Sequence, residues 1–195
     1  MTTGVLLLAA GRSVRFGSDK RLARFGTRGT LLEASVDAAT ASGLPLQVAL
    51  RADDAVLAAA LAAREVTAIH CETSMAGMGH TLSEAASALP GSWSGVLVAL
   101  GDMPLIRPAT FVELAGRLRR DTIVVPVCAG RRGHPVGFGA DFFTALRGLS
   151  GDHGARELVT SHRRSVVTVA VDDAGTLLDV DHPGDCDPAR LAPGR

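Results

Sequence analysis

Aromatic side chains make up only 4% of the 195 residues, and 20 Lys plus Arg are balanced by 20 Asp plus Glu. A chain with so few stacking platforms and a formal net charge of zero is a poor fit to a nucleic-acid binder, and neutrality gives no pull toward an anionic membrane. Any anion site must therefore be local. Nothing approaches the roughly 20 consecutive apolar residues that span a bilayer. Met1-Thr2-Thr3-Gly4 runs straight into an apolar stretch without a basic region or cleavage site, so a cytoplasmic location is expected. Cysteine is also sparse. Cys71, Cys128 and Cys186 are odd in number and scattered, which suits neither a disulfide framework nor a zinc site, and they read as reduced thiols. No internal repeat or low-complexity tract appears beyond an enrichment in alanine.

What is present is a rhythm. Apolar strand-like runs alternate with Ala/Leu-rich helical stretches, the βαβ pattern of a mostly parallel sheet covered by helices on both faces. The chain is long enough to bury roughly 70% of its unfolded surface in one core, so a single domain over residues 1–195 is expected, with a loose tail after about 188. Strands are expected at Val5–Ala10, Leu46–Leu50, Val66–His70, Gly95–Leu100, Thr122–Val127, Val166–Val171 and Leu177–Val180. Helices are expected at Leu31–Ala41, entered through Thr30 as N-cap, from Asp53 or Asp54 to about Ala63, and at Thr81–Leu89, Pro108–Arg119 and Arg156–Ser161.

The most informative stretch is Val5 to Lys20, where an apolar strand ends in a turn holding Gly11, Arg12, Arg15, Gly17 and Lys20. Ligands of open α/β sheets sit beyond the carboxyl ends of the strands, so a small basic loop after the first strand is placed to hold phosphate. Gly11 and Gly17 allow close backbone approach, and the cations and free amides supply donors. The spacing is neither the Walker pattern nor G-x-G-x-x-G. The competing reading is an ordinary glycine-rich turn with surface arginines. A second feature is Gly101-Asp102-Met103-Pro104 at the end of the strand Gly95–Leu100. A carboxylate there shares a sheet edge with the first loop and can hold a metal ion against a triphosphate, or it can cap a turn.

The string LLAAGRSVRFGSDK resembles the signature of nucleotidyltransferases with a GT-A-like, Rossmann-like fold, and within them the molybdenum cofactor cytidylyltransferase group of the molybdopterin nucleotidyltransferases. The resemblance spans residues 4–188 and rests on five strings in order. It implies that Leu8, Ala9, Ala10, Gly11, Arg12, Ser13, Arg15, Gly17 and Lys20 wrap a nucleoside triphosphate, with Arg15 and Lys20 on its phosphates, and that Met75, Gly77, Met78, Gly79 and Thr81 line the base and sugar pocket. By themselves the latter read as a helix start with methionine packed in the core. It further implies Asp102 as a Mg²⁺ ligand (Mn²⁺ as substitute) beside Gly101, with Arg15, Lys20 and Asp102 as the catalytic set.

Two more strings concern the acceptor. Gly133-His134-Pro135-Val136-Gly137-Phe138 places His134 and Pro135 near the acceptor by resemblance, whereas on its own a His before Pro orders a loop. Gly151-Asp152-His153-Gly154-Ala155-Arg156 departs from the family's Gly-Asp-Lys-Gly-Ala-Arg at His153, which makes charge there pH-dependent but leaves Asp152, Gly154 and Arg156 in place. In Asp179-Val180-Asp181-His182-Pro183-Gly184-Asp185, where His182 and Gly184 replace the family's Thr and Glu, Asp181 is expected as the second metal ligand and Asp179 as runner-up. The bland reading is a pair of solvated aspartates.

The chemistry implied is transfer of CMP from CTP to molybdopterin, with a molybdoenzyme as partner. Ala10, where guanylyl-transferring relatives carry Gly, leans toward a pyrimidine. Transfer to a sugar or polyol phosphate, and a non-catalytic carrier of the cofactor, are the alternatives.

Overall fold

The computed structural model describes residues 2–11, 13, 16–152 and 154–188. Alternation along the strands decides which layer each side chain enters. In β1 (Thr2–Leu8), Val5 and Leu7 face one side and Leu6 the other. In β4 (Trp93–Leu100), Leu97 and Ala99 are set against Val96 and Val98 in the same way. β2 (Leu46–Arg51) and β3 (Thr67–Cys71) continue the sheet on the other side of β1. Buried on both faces, these strands read as continuous apolar runs, as parallel strands under helices must.

One layer is made by α1 (Leu31–Thr40), α2 (Ala55–Ala62) and α4 (Pro108–Arg117), which contribute Val36, Leu61 and Phe111 to its core. The opposite layer is made by α3 (Met78–Ser87), α5 (Phe143–Arg147) and α6 (Arg156–Ser161), with Leu82, Leu146 and Leu158 buried. Thr30 caps α1 as expected, in a capping box with Glu33.

The sheet order is β3-β2-β1-β4-β7-β5, where β5 is Ile123–Cys128 and β7 is Val136–Gly139. The short β6 (Arg131–Arg132) shares one side of β5 with β7, and β8 (Val166–Ala170) pairs along the other. β6 and β7 run antiparallel to their neighbours; the remaining pairings are parallel. β1 sends its chain to β2 on one side and pairs with β4 on the other, so the crevice beyond Leu8 and Leu100 lies at a topological switch point.

Several expectations need correction. The first strand ends at Leu8, not Ala10: beyond it the carbonyls of Ala9 and Ala10 turn to arginine side chains instead of the ladder. Leu177–Val180 is not a strand. Ala174–Leu177 forms a 3-10 turn that buried Asp173 organises, accepting from Gly175 N–H, Arg107 N–H and the Thr110 hydroxyl. The helix expected from Thr81 already starts at Met78, so Met78 and Gly79 lie in its first turn. α4 stops at Arg117. From the sequence, residues 129–133 read as a hairpin-like loop and 134–138 only as an extended segment; the latter contributes the antiparallel β7, while the five-residue α5, too short to show a period, was not expected.

Candidate active site

The ends of β1 and β4 are held together by backbone. Gly101 N–H donates to Leu8 O (2.9 Å), and the Ser35 hydroxyl of α1 donates to Gly101 O (2.9 Å). A Cβ on Gly101 would stand 3.0 Å from the Ala9 Cβ and 3.1 Å from Leu8 O, so the absence of a side chain lets the two strand ends close up. Asp102, the next residue, is thereby fixed at the crevice. Val180 N–H donates to Asp102 O (2.9 Å), bringing the distant segment 179–181 to the same place. Beneath lies a small separate core of Phe16, Phe25, Leu31, Ala34 and Val180, which supports the loop and the C-terminal segment from one side.

Lys20 reaches into the meeting point. Its Nζ donates to Asp102 Oδ2 (2.6 Å), Val180 O (3.0 Å) and Asp181 Oδ1 (3.4 Å), so the three donors of the ammonium find three oxygens. Burial alone would push its pKa down, but Asp102 and then Asp181 outweigh burial and hold it above the ordinary lysine value. Lys20 is also the chain's only lysine. Asp181 is placed by Asp185, whose Oδ2 accepts from the Asp181 and His182 amides (3.3 and 2.9 Å). Asp179 is exposed, and its charge acts on His134.

These oxygens also test whether the site suits a divalent ion. Asp102 Oδ1 is buried and has no hydrogen-bond partner among the described residues, while its other oxygen and Asp181 already converge on one cation, the Lys20 ammonium. Among the described residues no cluster of three or more His, Cys, Asp or Glu side chains is set for a metal. Two carboxylates of hard oxygen suit Mg²⁺ or Mn²⁺, ions that keep waters and substrate phosphates for their remaining positions. The residues fit such an ion.

Two adjoining cavities open at the crevice. The first, about 230 Å³, is lined by Leu8, Ala9, Ala10, Gly11, Ser13, Lys20, Met78, Thr81, Gly101 and Asp102, all expected there, and by Arg21, Ser74 and Leu100, which were not. The second, about 520 Å³, shares Leu8, Met78 and Leu100 with it and takes in His134, Arg156 and Arg132. Gly17, Met75, Gly77 and Gly79 do not line the first cavity, nor do Pro135, Asp152 and Gly154 line the second. Arg12, Arg15 and His153 lie outside the described residues.

Residues 5–166 match the MobA-like NTP transferase domain. The chain belongs to that family. The crystal structure of Rv0371c from Mycobacterium tuberculosis H37Rv has a TM-score of 0.85 at 32% identity, covering 98% of this chain and 97% of that one. Rv0371c in complex with manganese gives a TM-score of 0.78 at 27% identity over the same shares. The bifunctional protein GlmU of Geobacter metallireducens is 31% identical over 150 residues, 75% of this chain, and the chain spans only 30% of that curated relative's length.

Within this MobA-like domain the glycines at 77 and 79 pack closely against a distant segment. A Cβ on Gly77 would meet Asp152 Oδ1 at 2.4 Å, and one on Gly79 would meet Ser150 O at 2.4 Å, while Gly79 N–H donates to Gly151 O (2.8 Å). They let the 150–152 segment lie against the start of α3 and bring α6, with Arg156, to the second cavity. Thr81 donates back to Gly77 O (3.3 Å). Among the thiols, burial and then Glu84 push Cys71 up to about 11, which keeps it protonated at neutral pH.

His134 borders the second cavity with a buried Nδ1 that has no hydrogen-bond partner among the described residues. Burial lowers its pKa, outweighing the Val98 carbonyl and the charges of Asp102 and Asp179, so it is neutral at pH 7. A folded pKa below the unfolded value of about 6.5 means that the unfolded chain binds the extra proton first. Its contribution is therefore present above about pH 6.5 and lost as pH falls through the folded value. Melting temperatures followed from pH 7.5 to 5 should fall less steeply for His134→Gln than for the unmodified chain. Parallel curves would count against this assignment.

Proposed function

We propose that the chain is a metal-dependent nucleotidyltransferase that moves CMP from CTP onto the phosphate of molybdopterin in its molybdenum-loaded form, releasing pyrophosphate. The observation that carries this reading is the convergence of Lys20, Asp102 and Asp181 at the mouth of the β1–β4 crevice. An ionised acceptor phosphate oxygen attacks the α-phosphorus in line; the new P–O bond forms as the bond to the β-phosphate oxygen breaks, and pyrophosphate leaves with its electron pair. Neither partner needs a proton removed, which is why no general base is sought and why neutral His134 serves as an acceptor contact.

The protein's part is positioning and charge. The β1 loop cradles the triphosphate, and Lys20 moves from its carboxylates to the departing pyrophosphate, assisted by Arg15. Asp102 and Asp181 hold Mg²⁺ or Mn²⁺, which when bound polarises the α-phosphate and offsets its charge. The manganese complex of Rv0371c supports a divalent ion in this fold. The second cavity, largely apolar with His134 and Arg156 at its wall, takes the acceptor. The Ala10 methyl at the wall of a cavity of about 230 Å³ supports the smaller pyrimidine ring. Such chemistry suits a cytoplasmic protein that hands its product to a molybdoenzyme.

Isothermal titration of CTP, GTP and UTP in the presence of Mg²⁺ is expected to rank CTP tightest, and equal affinities would remove the pyrimidine assignment. Pyrophosphate release with CTP should require the molybdenum-loaded acceptor. Binding of both without release would mark a carrier.

A further inference from the structure

At the base of the β1 loop, with Arg21 at the wall of the first cavity, lies a network that the reaction scheme does not use. Arg21 is 4% exposed, and all five of its N–H donors are engaged. Nε donates to Asp19 Oδ1 (2.8 Å); Nη2 donates to Asp19 Oδ2 (2.5 Å) and Asp54 Oδ1 (2.7 Å); Nη1 donates to Asp54 Oδ2 and Ala9 O (2.9 Å). Arg51 lies alongside, donating to Ala10 O (3.4 Å) and Gly11 O and pairing with Asp19 (3.8 Å). Three successive loop carbonyls therefore point at two guanidinium groups. Two arginines and two aspartates cancel, so the cluster adds no net charge to the crevice. With no donor left, Arg21 cannot also serve as a phosphate ligand.

We propose that Arg21 and Arg51 are positioning residues: a clamp on the carbonyl side of the loop that sets its amide side, and Lys20, for a triphosphate. In a trans peptide the N–H points opposite the C=O, so pinning the carbonyls of Ala9 and Ala10 turns the amides of Ala10 and Gly11 away from the arginines. A row of amides on one side of a turn is an anion-binding concavity, and it works only while the carbonyls are kept off the anion. Lys20 belongs to the same unit. It precedes Arg21 in the 3-10 turn Lys20–Leu22, where Asp19 accepts from the Arg21 amide (3.1 Å), so the arginine bonded below fixes the backbone from which the lysine reaches above. Asp54 stands at the N-cap position of α2 but makes no side-chain cap; its carboxylate instead accepts from Arg51 N–H (2.8 Å) and from Arg21, tying the end of β2 to the loop.

The clamp rests on the triphosphate reading, so its test carries a readout that needs no ligand. Reductive ¹³C-methylation labels only Lys20 and the chain's amino terminus, and the Lys20 signal reports whether Nζ still sits on its carboxylates. With inorganic tripolyphosphate as probe, Arg51→Met should bind at least about tenfold more weakly than the unmodified chain, which corresponds to about 1.4 kcal/mol. Arg51→Lys, which keeps the charge but not the fork, should recover only part of that loss. Arg21→Met should shift or broaden the Lys20 signal; should that variant not fold, Asp54→Asn is read in its place. Unchanged affinity in Arg51→Met, full recovery in Arg51→Lys, or an unmoved Lys20 signal in the folded Arg21 or Asp54 variant overturns the clamp. If the unmodified chain binds neither tripolyphosphate nor CTP, the functional reading fails instead, and the Lys20 signal still decides the clamp.

Discussion

Asp102→Asn is expected to lower kcat/KM for nucleotidyl transfer by about 10²- to 10³-fold or more, the loss that follows removal of a single preorganised electrostatic contact in a transition state, with the fold intact. The backbone around residue 102 is held by main-chain bonds, Gly101 N–H to Leu8 O and Val180 N–H to Asp102 O, and these are indifferent to the side chain. Asparagine keeps the shape and still offers Lys20 an oxygen. What it removes is the negative charge and the second carboxylate oxygen, Asp102 Oδ1, which is buried without a hydrogen-bond partner among the described residues. An unsatisfied buried oxygen is costly to a fold, and the proposed cation would satisfy it. Pyrophosphate release measured beside Mn²⁺ binding separates the two effects: both should fall together while the melting temperature moves by only a few degrees. Turnover within tenfold of the unmodified chain would remove Asp102 from the machinery.

Lys20→Met should cost a similar factor in turnover and, unlike the aspartate variant, stability as well. The ammonium is the cation that Asp102, Val180 O and Asp181 share. Without it two carboxylates and a carbonyl face one another at a strand end, where a lost hydrogen bond to a charged group is worth about 1–3 kcal/mol. The raised pKa of Lys20 sets the pH window. Its contribution is fully present below the unfolded value of about 10.4 and lost only as pH climbs through the higher folded value, so at neutral pH the whole effect should be seen. The same oxygens are those assigned to the metal. Added Mn²⁺ should therefore raise the melting temperature of Lys20→Met more than that of the unmodified chain, because the ion enters a place the lysine no longer fills. Equal rises in both proteins would show that lysine and metal do not share these oxygens.

Several features of the site could be read from local chemistry. Gly101-Asp102 at a strand end and the glycine-rich basic turn after β1 are short strings whose chemistry is in the residues themselves, and the structure brings Lys20, Asp102 and Asp181 into contact. Arg21, Arg51 and Asp54 could not be read that way. An arginine next to a lysine in a basic loop looks like one more phosphate contact, and an aspartate before an alanine-rich helix looks like a cap. Their actual partners lie on other elements, Ala9 on the β1 loop and Arg21 33 residues from Asp54. The packing of Gly77 and Gly79 is hidden for the same reason: the segment 150–152 that presses on them lies some 70 positions further along the chain, at a distance no spacing rule covers.

By itself, then, the chain of residues determined the alternation of most strands and helices and the neutral, aromatic-poor composition, because periodicity and composition are local or additive properties. Only the tertiary structure decided that Lys20 meets an aspartate 82 residues away and another 161 away, and that two arginines bond the carbonyls of the loop. Such pairings depend on the order in which strands are laid side by side. That order is chosen by the burial of whole faces, not by any one stretch of chain.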